Sequence, residues 1–325
     1  MKNNKLGGTL GAFALFACTA MPAAYAAWPD DKPIEIVVGF AAGGETDVLA
    51  RAVAMHLQRH IGGKSNVVVV NRPGASGEIA NAFVQRAAPD GYTIGVVNTP
   101  PMVFVPLYKK TQYDPADFAL IGRVVSDPTL LVVRADSPYQ TLQQIVQASK
   151  DKPESVSAGQ NGIGTNGNVA MNMWQRAAAF KFNDVPFSGT GPSKVALMGG
   201  HVDMMFASYT AVPAPQKESV PMRIVAQFME TRARGLEDVP TAKEQGFDVS
   251  VPSDRGFAVH KKVPIDIQNR LRVALTETLK DPAFLKTAEN FEAVLSYLPG
   301  DQWQTELDAS TAAWRDLARE VKDTQ

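Results

Sequence analysis

The sequence has little thiol or imidazole: one cysteine, Cys18, and 4 histidines in 325 residues. Cys18 falls in a stretch that reads as a cleaved leader. Lys2 and Lys5 give a basic start, Leu6 to Ala20 is largely apolar, and Ala24, Tyr25 and Ala26 offer small residues for cleavage, so that residues 1–26 are expected to be removed. The remaining chain would hold no cysteine, which excludes disulfides and thiol chemistry even in an exported protein. The apolar run is broken by Gly7, Gly8 and Gly11 and falls short of the roughly 20 residues of a membrane span. An excess of charge of one sign is also missing: 32 Lys and Arg face 33 Asp and Glu, with no dense basic block. Nucleic acid and anionic membrane surfaces are therefore not expected partners.

Several catalytic patterns are absent as well. His56 and His60 stand four apart on a predicted helix, but "HLQRH" lacks the glutamate of HExxH and has no evident third ligand; solvated surface positions and no metal are expected. No GK[ST] sequence occurs, and neither "GFAAGG" nor "GQNGIG" has the GxGxxG order, so no nucleotide cofactor is expected. "GASGE" (residues 74–78) ends on Glu78 where a nucleophile elbow needs glycine, and no framed His and Asp complete a triad. Ser76 reads as a helix N-cap or turn hydroxyl, and no enzymatic activity is expected.

What is present is ordinary globular composition, 45% hydrophobic and 20% charged, arranged as alternating strand and helix patterns. Ile34 to Phe40 reads as a strand, Asp47 to Arg59 as an amphipathic helix, Asn66 to Val70 as a strand, Gly77 to Ala87 as a helix and Tyr92 to Val97 as a strand. The pattern recurs after Leu130, with a helix from Val169 to Ala178 and another starting near Pro192. Helices over Ile265 to Leu279, Pro282 to Asn290 and Gln302 to Val321 close the chain. Two glycine-rich turns, Ala41 to Thr46 and Gly162 to Asn168, each join a strand to a helix start, where unpaired backbone N–H groups and the helix dipole favour an anion. Both sit at the edge where open α/β sheets bind ligands, which suggests a clamp from two sides. Arg255, in "PSDRGF", is a candidate for bidentate carboxylate binding or, alternatively, a surface Arg paired with Asp254 or another acid.

"WPDDKPIEIVVGFAAGGETDVLAR", "VVVVNRPGASGEIA", "AAPDGYTI", "LYKKTQYDP", "VPFSGTGPSKVALMGGHVDMMF" and "DVPTAKEQGF", in this order, resemble the extracytoplasmic receptors of tripartite tricarboxylate transporters, the Bug family. The resemblance implies an α/β, two-domain periplasmic binding protein of the type II, Venus-flytrap form, with crossing hinge strands and a ligand cleft. The division it implies is residues 27–130 with 255–325 as one domain and 131–254 as the other, hinged near Leu130 to Val133 and Ser253 to Phe257. The ligand would be a small carboxylate (a di- or tricarboxylate or an aromatic acid) or, alternatively, an amino-acid-like zwitterion. It would be captured in the periplasm by a monomer and delivered to a membrane permease or read by a sensor kinase. Mapped onto this chain, the site would comprise Phe40, Ala41, Ala42, Gly43, Gly44, Glu45, Thr46 and Asp47 from the first loop. Gly162, Gly164, Thr165, Asn166, Gly167 and Asn168 would come from the second, with Phe187, Ser188, Gly189, Ser208, Tyr209 and Arg255 around them. Neither cofactor nor metal is implied. Glu45 departs from the family pattern, which has small residues there; capping its own helix is the first expectation, meeting a cationic ligand group the second. Arg255 is expected to favour a second anionic group on the ligand.

Overall fold

The computed structural model describes residues 28–64, 66–212 and 221–323. The expected leader and Cys18 lie outside the described residues. The first lobe begins with β1 (Ile34–Val38), α1 (Glu45–Ile61), β2 (Val67–Asn71), α2 (Glu78–Arg86), β3 (Thr93–Thr99) and α3 (Pro101–Tyr108). β4 (Phe118–Asp127) completes this run and β5 (Thr129–Arg134) opens the second lobe. There follow α4 (Leu142–Asp151), β6 (Ser157–Gln160), α5 (Asn166–Ala178), β7 (Asn183–Pro186), α6 (Thr190–Met198), β8 (Met204–Ser208) and β9 (Met222–Gln227). The chain returns through β10 (Ser253–His260) to α7 (Ile265–Lys280), α8 (Pro282–Thr287), β11 (Leu295–Pro299) and α9 (Gly300–Asp323).

Two mixed sheets result. The first has the order β11-β4-β10-β3-β1-β2 and the second β7-β6-β8-β5-β9. In each, a parallel set (β2, β1 and β3; β7, β6 and β8) meets a strand that has entered from the other lobe and runs antiparallel to it: β10 beside β3, and β5 beside β8. β1, "IEIVV", is buried over nearly its whole length, as expected of a central strand covered on both faces.

The crossings fall just before the segments near which they were expected. Leu130 to Val133 lies wholly within β5, and Ser253 to Phe257 within β10. The switch between sheets falls instead on Pro128, between β4 and β5, and around Pro252, just before β10. A proline has no N–H to give to a ladder, so each strand ends there without leaving an unpaired donor. The two crossings are tied to each other: the Thr129 hydroxyl donates to the Val251 carbonyl (2.6 Å) and Asn166 Nδ2 donates to Thr129 Oγ1 (2.7 Å).

The last helix does not belong to one lobe. Trp303 and Leu307 join the core beneath the first sheet, whereas Trp314, Leu317 and Ala318 enter the second lobe's core with Val103 and Phe104 of α3. That second core is built around Trp174, fully buried and ringed by Phe180, Phe182, Phe206, Phe228 and Phe247. The helix expected from Pro192 starts two residues earlier at Thr190, because a proline within the first turn displaces no helical donor. His56 is not a solvated surface residue: α1 packs on α8, which buries the ring edge-on against Phe284 with Nε2 2.8 Å from Thr287 Oγ1. Burial, followed by the nearby Arg59 charge, holds its pKa below the ordinary histidine value. Ser76 caps no helix; its hydroxyl reaches across to donate to the Ile163 carbonyl at 3.2 Å.

Candidate functional site

α1, α5 and α6 each begin just beyond a strand of one of the two sheets, with Gly44, Thr165 and Gly189 as their N-caps, and no cap side chain bonds any of the three. The first N–H groups of a helix have no partner within it, and the dipole places about half a positive charge there. Gly44, Glu45 and Thr46 from α1, Thr165 and Asn166 from α5, and Gly189, Thr190 and Gly191 from α6 line one cleft of about 420 Å³. Two of these starts were legible as glycine-rich turns; the third, at α6, was read only as nearby residues. Phe40, Ala41, Ser188, Ser208 and Arg255 complete the expected residues on its wall. A larger hollow, about 780 Å³, lies against the second lobe, beside Lys150, Gln175 and Arg176 at the C-terminal turns of α4 and α5. Its lining mixes bases (Lys150, Arg176, Lys181) with acids (Glu154, Asp184, Glu320), and no helix start opens onto it, so it has no counterpart to the convergent N–H groups.

Other expected residues brace the loops instead of lining the cleft. The Gly43 N–H donates to Asp47 Oδ2 (2.8 Å), and Asp47 also accepts from Arg51 Nε (2.9 Å) and Asn71 Nδ2 (2.8 Å). Burial pushes the Asp47 carboxyl up, but these donors outweigh it and hold it below the ordinary range. In the second loop the Gly162 N–H goes to Gln160 Oε1 (2.6 Å) and the Gly164 N–H to Asn168 Oδ1 (3.1 Å). A Cβ on Gly164, whose φ is +78°, would stand 2.8 Å from Val105, so that loop is seated on α3. Gly167 is closed off by Asn161 and Phe206, and the Phe187 ring lies against Gly159. Tyr209 packs against the cores of both lobes, and Ala42 is exposed beside the cleft without forming its wall.

At the cleft floor Arg255, 2% exposed, donates through Nη2 to Glu45 Oε2 (2.6 Å) and Asp127 Oδ2 (2.9 Å). The Thr210 hydroxyl reaches Glu45 Oε2 at 3.2 Å and also contacts Asp127 Oδ2, while the Thr210 N–H donates to Asp127 Oδ1 (3.2 Å). Glu45 therefore does not cap its helix, as first expected; it bridges to a strand 210 residues away. Arg255 does pair with acids, but it is buried instead of at the surface, and its partners are Glu45 and Asp127, not Asp254. Successive residues of a strand face opposite ways, and Asp254 pairs with Arg123 (3.3 Å) on the other face of β10. Burial raises the Glu45 pKa against the opposing pull of Arg255, and Asp127 adds to the rise. Burial also works against the Arg255 charge, and the two carboxylates outweigh it. The Nε and Nη1 atoms of Arg255 and Oδ1 of Asn98 are buried without a hydrogen-bond partner among the described residues.

Asn98 is a wall residue that sequence reasoning missed, as are Asn161, Pro192, Lys194 and Ser253. Its signal was a polar residue at the end of the apolar strand β3; the register sets it opposite Arg255, and its Nδ2 donates to Thr46 Oγ1 (3.0 Å). Among the described residues no group of three His, Cys, Asp or Glu could hold a metal ion, and no helix is long and apolar enough to cross a membrane.

The model of the tripartite tricarboxylate transporter family receptor matches residues 49–319. The chain belongs to that receptor family. It is 31% identical over 298 residues (91% of this chain, 90% of the relative) to the UPF0065 protein in the gbd 5' region of Cupriavidus necator. The R. palustris protein Rpa4515, solved with adipate, superposes with a TM-score of 0.79 at 25% identity, covering 90% of this chain and 97% of the other. MatC of Rhodopseudomonas palustris, solved with bound malate, gives 0.76 at 26% identity, covering 89% and 99%. The family is one of solute-binding receptors, not enzymes. In this receptor the convergent helix starts supply fixed donors, and the ionic cluster at the floor separates it from a simple anion hole.

Proposed function

We propose that this receptor captures a small carboxylate, of the di- or tricarboxylate or aromatic acid class, between its two lobes in the periplasm. The carrying observation is the convergence of three helix N-termini without side-chain caps on one cleft. A carboxylate seated there accepts hydrogen bonds from N–H groups that have no partner in their helices, and charge-assisted bonds of that kind contribute about 1.5 to 3 kcal/mol each. The neighbours solved with adipate and malate support this class. The receptor works as a monomer: the ligand touches both lobes at once, which favours the closed arrangement, and a membrane permease of a tripartite transporter takes the solute from that form.

A thermal-shift screen of the purified protein against mono-, di- and tricarboxylates and aromatic acids tests the reading. A true ligand at 100 times its dissociation constant adds about 2.7 kcal/mol of stability. No stabilisation by any carboxylate would refute it, as would turnover of a bound acid.

A further inference from the structure

The cleft is unevenly charged. α5 and α6 bring two uncapped N-termini from the second lobe, and Lys194, on α6, lines the same wall. On the first lobe, Glu45 lies in the first turn of α1, where its carboxylate offsets that helix's own dipole. Below it one guanidinium group serves two carboxylates through a single nitrogen: Arg255 Nη2 is 2.6 Å from Glu45 and 2.9 Å from Asp127. Asp127 is fully buried, whereas the Glu45 side chain is 28% exposed and lines the cleft. The single Thr210 hydroxyl hydrogen lies between the same two acceptors. With both acids ionised, the floor carries one negative charge more than it can pair, and Glu45 is the member within reach of a ligand.

A second carboxylate on the ligand would meet that excess. Arg255 offers it nothing through Nη2, which is already doubly engaged, and like charges in a partly desolvated site repel. A cationic group would supply the missing charge. We propose that Glu45 is the specificity-determining residue of this cleft, selecting carboxylates that also carry an ammonium group: the carboxylate sits at the starts of α5 and α6 and the ammonium on Glu45. This rests on the carboxylate reading above and reverses the expectation that Arg255 favours a second anion. Nε and Nη1 of Arg255 have no partner among the described residues but are buried, and of the three floor charges only Glu45 is exposed to a ligand.

Isothermal titration of the native protein and of Glu45→Gln with matched four- and six-carbon series tests this. Each series holds a plain monocarboxylate, the dicarboxylate, and the α-amino and ω-amino acids of the same length. The native protein binds an amino acid of one series at least about tenfold tighter than the matching dicarboxylate, the scale of one charge-assisted bond. In Glu45→Gln that preference is lost or reversed, the amino acid weakening and the dicarboxylate gaining; Glu45→Asp, which keeps the charge, retains it. A native protein that prefers the dicarboxylate, or a preference unchanged in Glu45→Gln, overturns the inference while leaving the carboxylate reading intact. Absence of binding by every acid in both proteins overturns the two together.

Discussion

Glu45 and Asp47 stand two residues apart in the first turn of α1, and their surroundings move their acidities in opposite directions. Asp47 has three donors around it, one of them the loop's own Gly43 amide, and its carboxyl is held below the ordinary value near 3.8. A group depressed in this way contributes stability that is fully present above the ordinary value and is lost as pH falls through the folded one. Asp47→Asn should therefore cost about 1 to 3 kcal/mol near neutral pH, from the lost charged partner of Arg51 and weaker anchoring of the loop. In urea denaturation the gap between variant and native protein should close at low pH; a gap constant with pH would show that the charge of Asp47 does not brace the loop. Glu45 has the reverse character, its ionised form being disfavoured by burial against the opposing pull of Arg255.

At the scale of elements, the helix starts decide what the cleft can hold and the glycine in β10 decides where Arg255 sits. A Cβ on Gly256 would lie 2.3 Å from the Gly122 carbonyl of β4 and 2.6 Å from the buried ring of Trp303. Gly256→Ala must push β10 away from β4 or α9 away from the sheet, at about 1 to 3 kcal/mol for overpacking. The variant should melt lower and bind its ligand more weakly, since Arg255 moves with its neighbour; unchanged affinity would show that the floor tolerates displacement of its strand. The glycine turns were legible because a strand, a turn and a helix are local patterns, and the boundaries moved by only a few residues, as where α1 begins at Glu45 instead of Asp47. The role of α6 was obscured because Gly189 and Thr190 make an ordinary-looking helix start whose importance lies only in where it points. The pairing of Glu45 with Arg255 was not legible at all: local rules offered Glu45 a capping role and Arg255 its chain neighbour Asp254, and only the crossing of β10 into the first sheet joins positions 210 residues apart.

For the whole molecule, the two sheets are joined at Pro128 and near Pro252, α9 contributes to both cores, and Ser76 of the first lobe donates to the Ile163 carbonyl of the second. Binding between lobes linked by so few strands favours whichever arrangement lets the ligand touch all three helix starts together. The central claim is that uncapped helix starts in this cleft hold an anion. The most direct measurement is a calorimetric comparison, at neutral pH, of the best-binding acid with its primary amide, which has the same shape but no charge at the carboxyl end. The account predicts that the acid binds at least about 100-fold tighter, the loss expected when one or two charge-assisted hydrogen bonds become neutral ones. Equal affinity for acid and amide would contradict it.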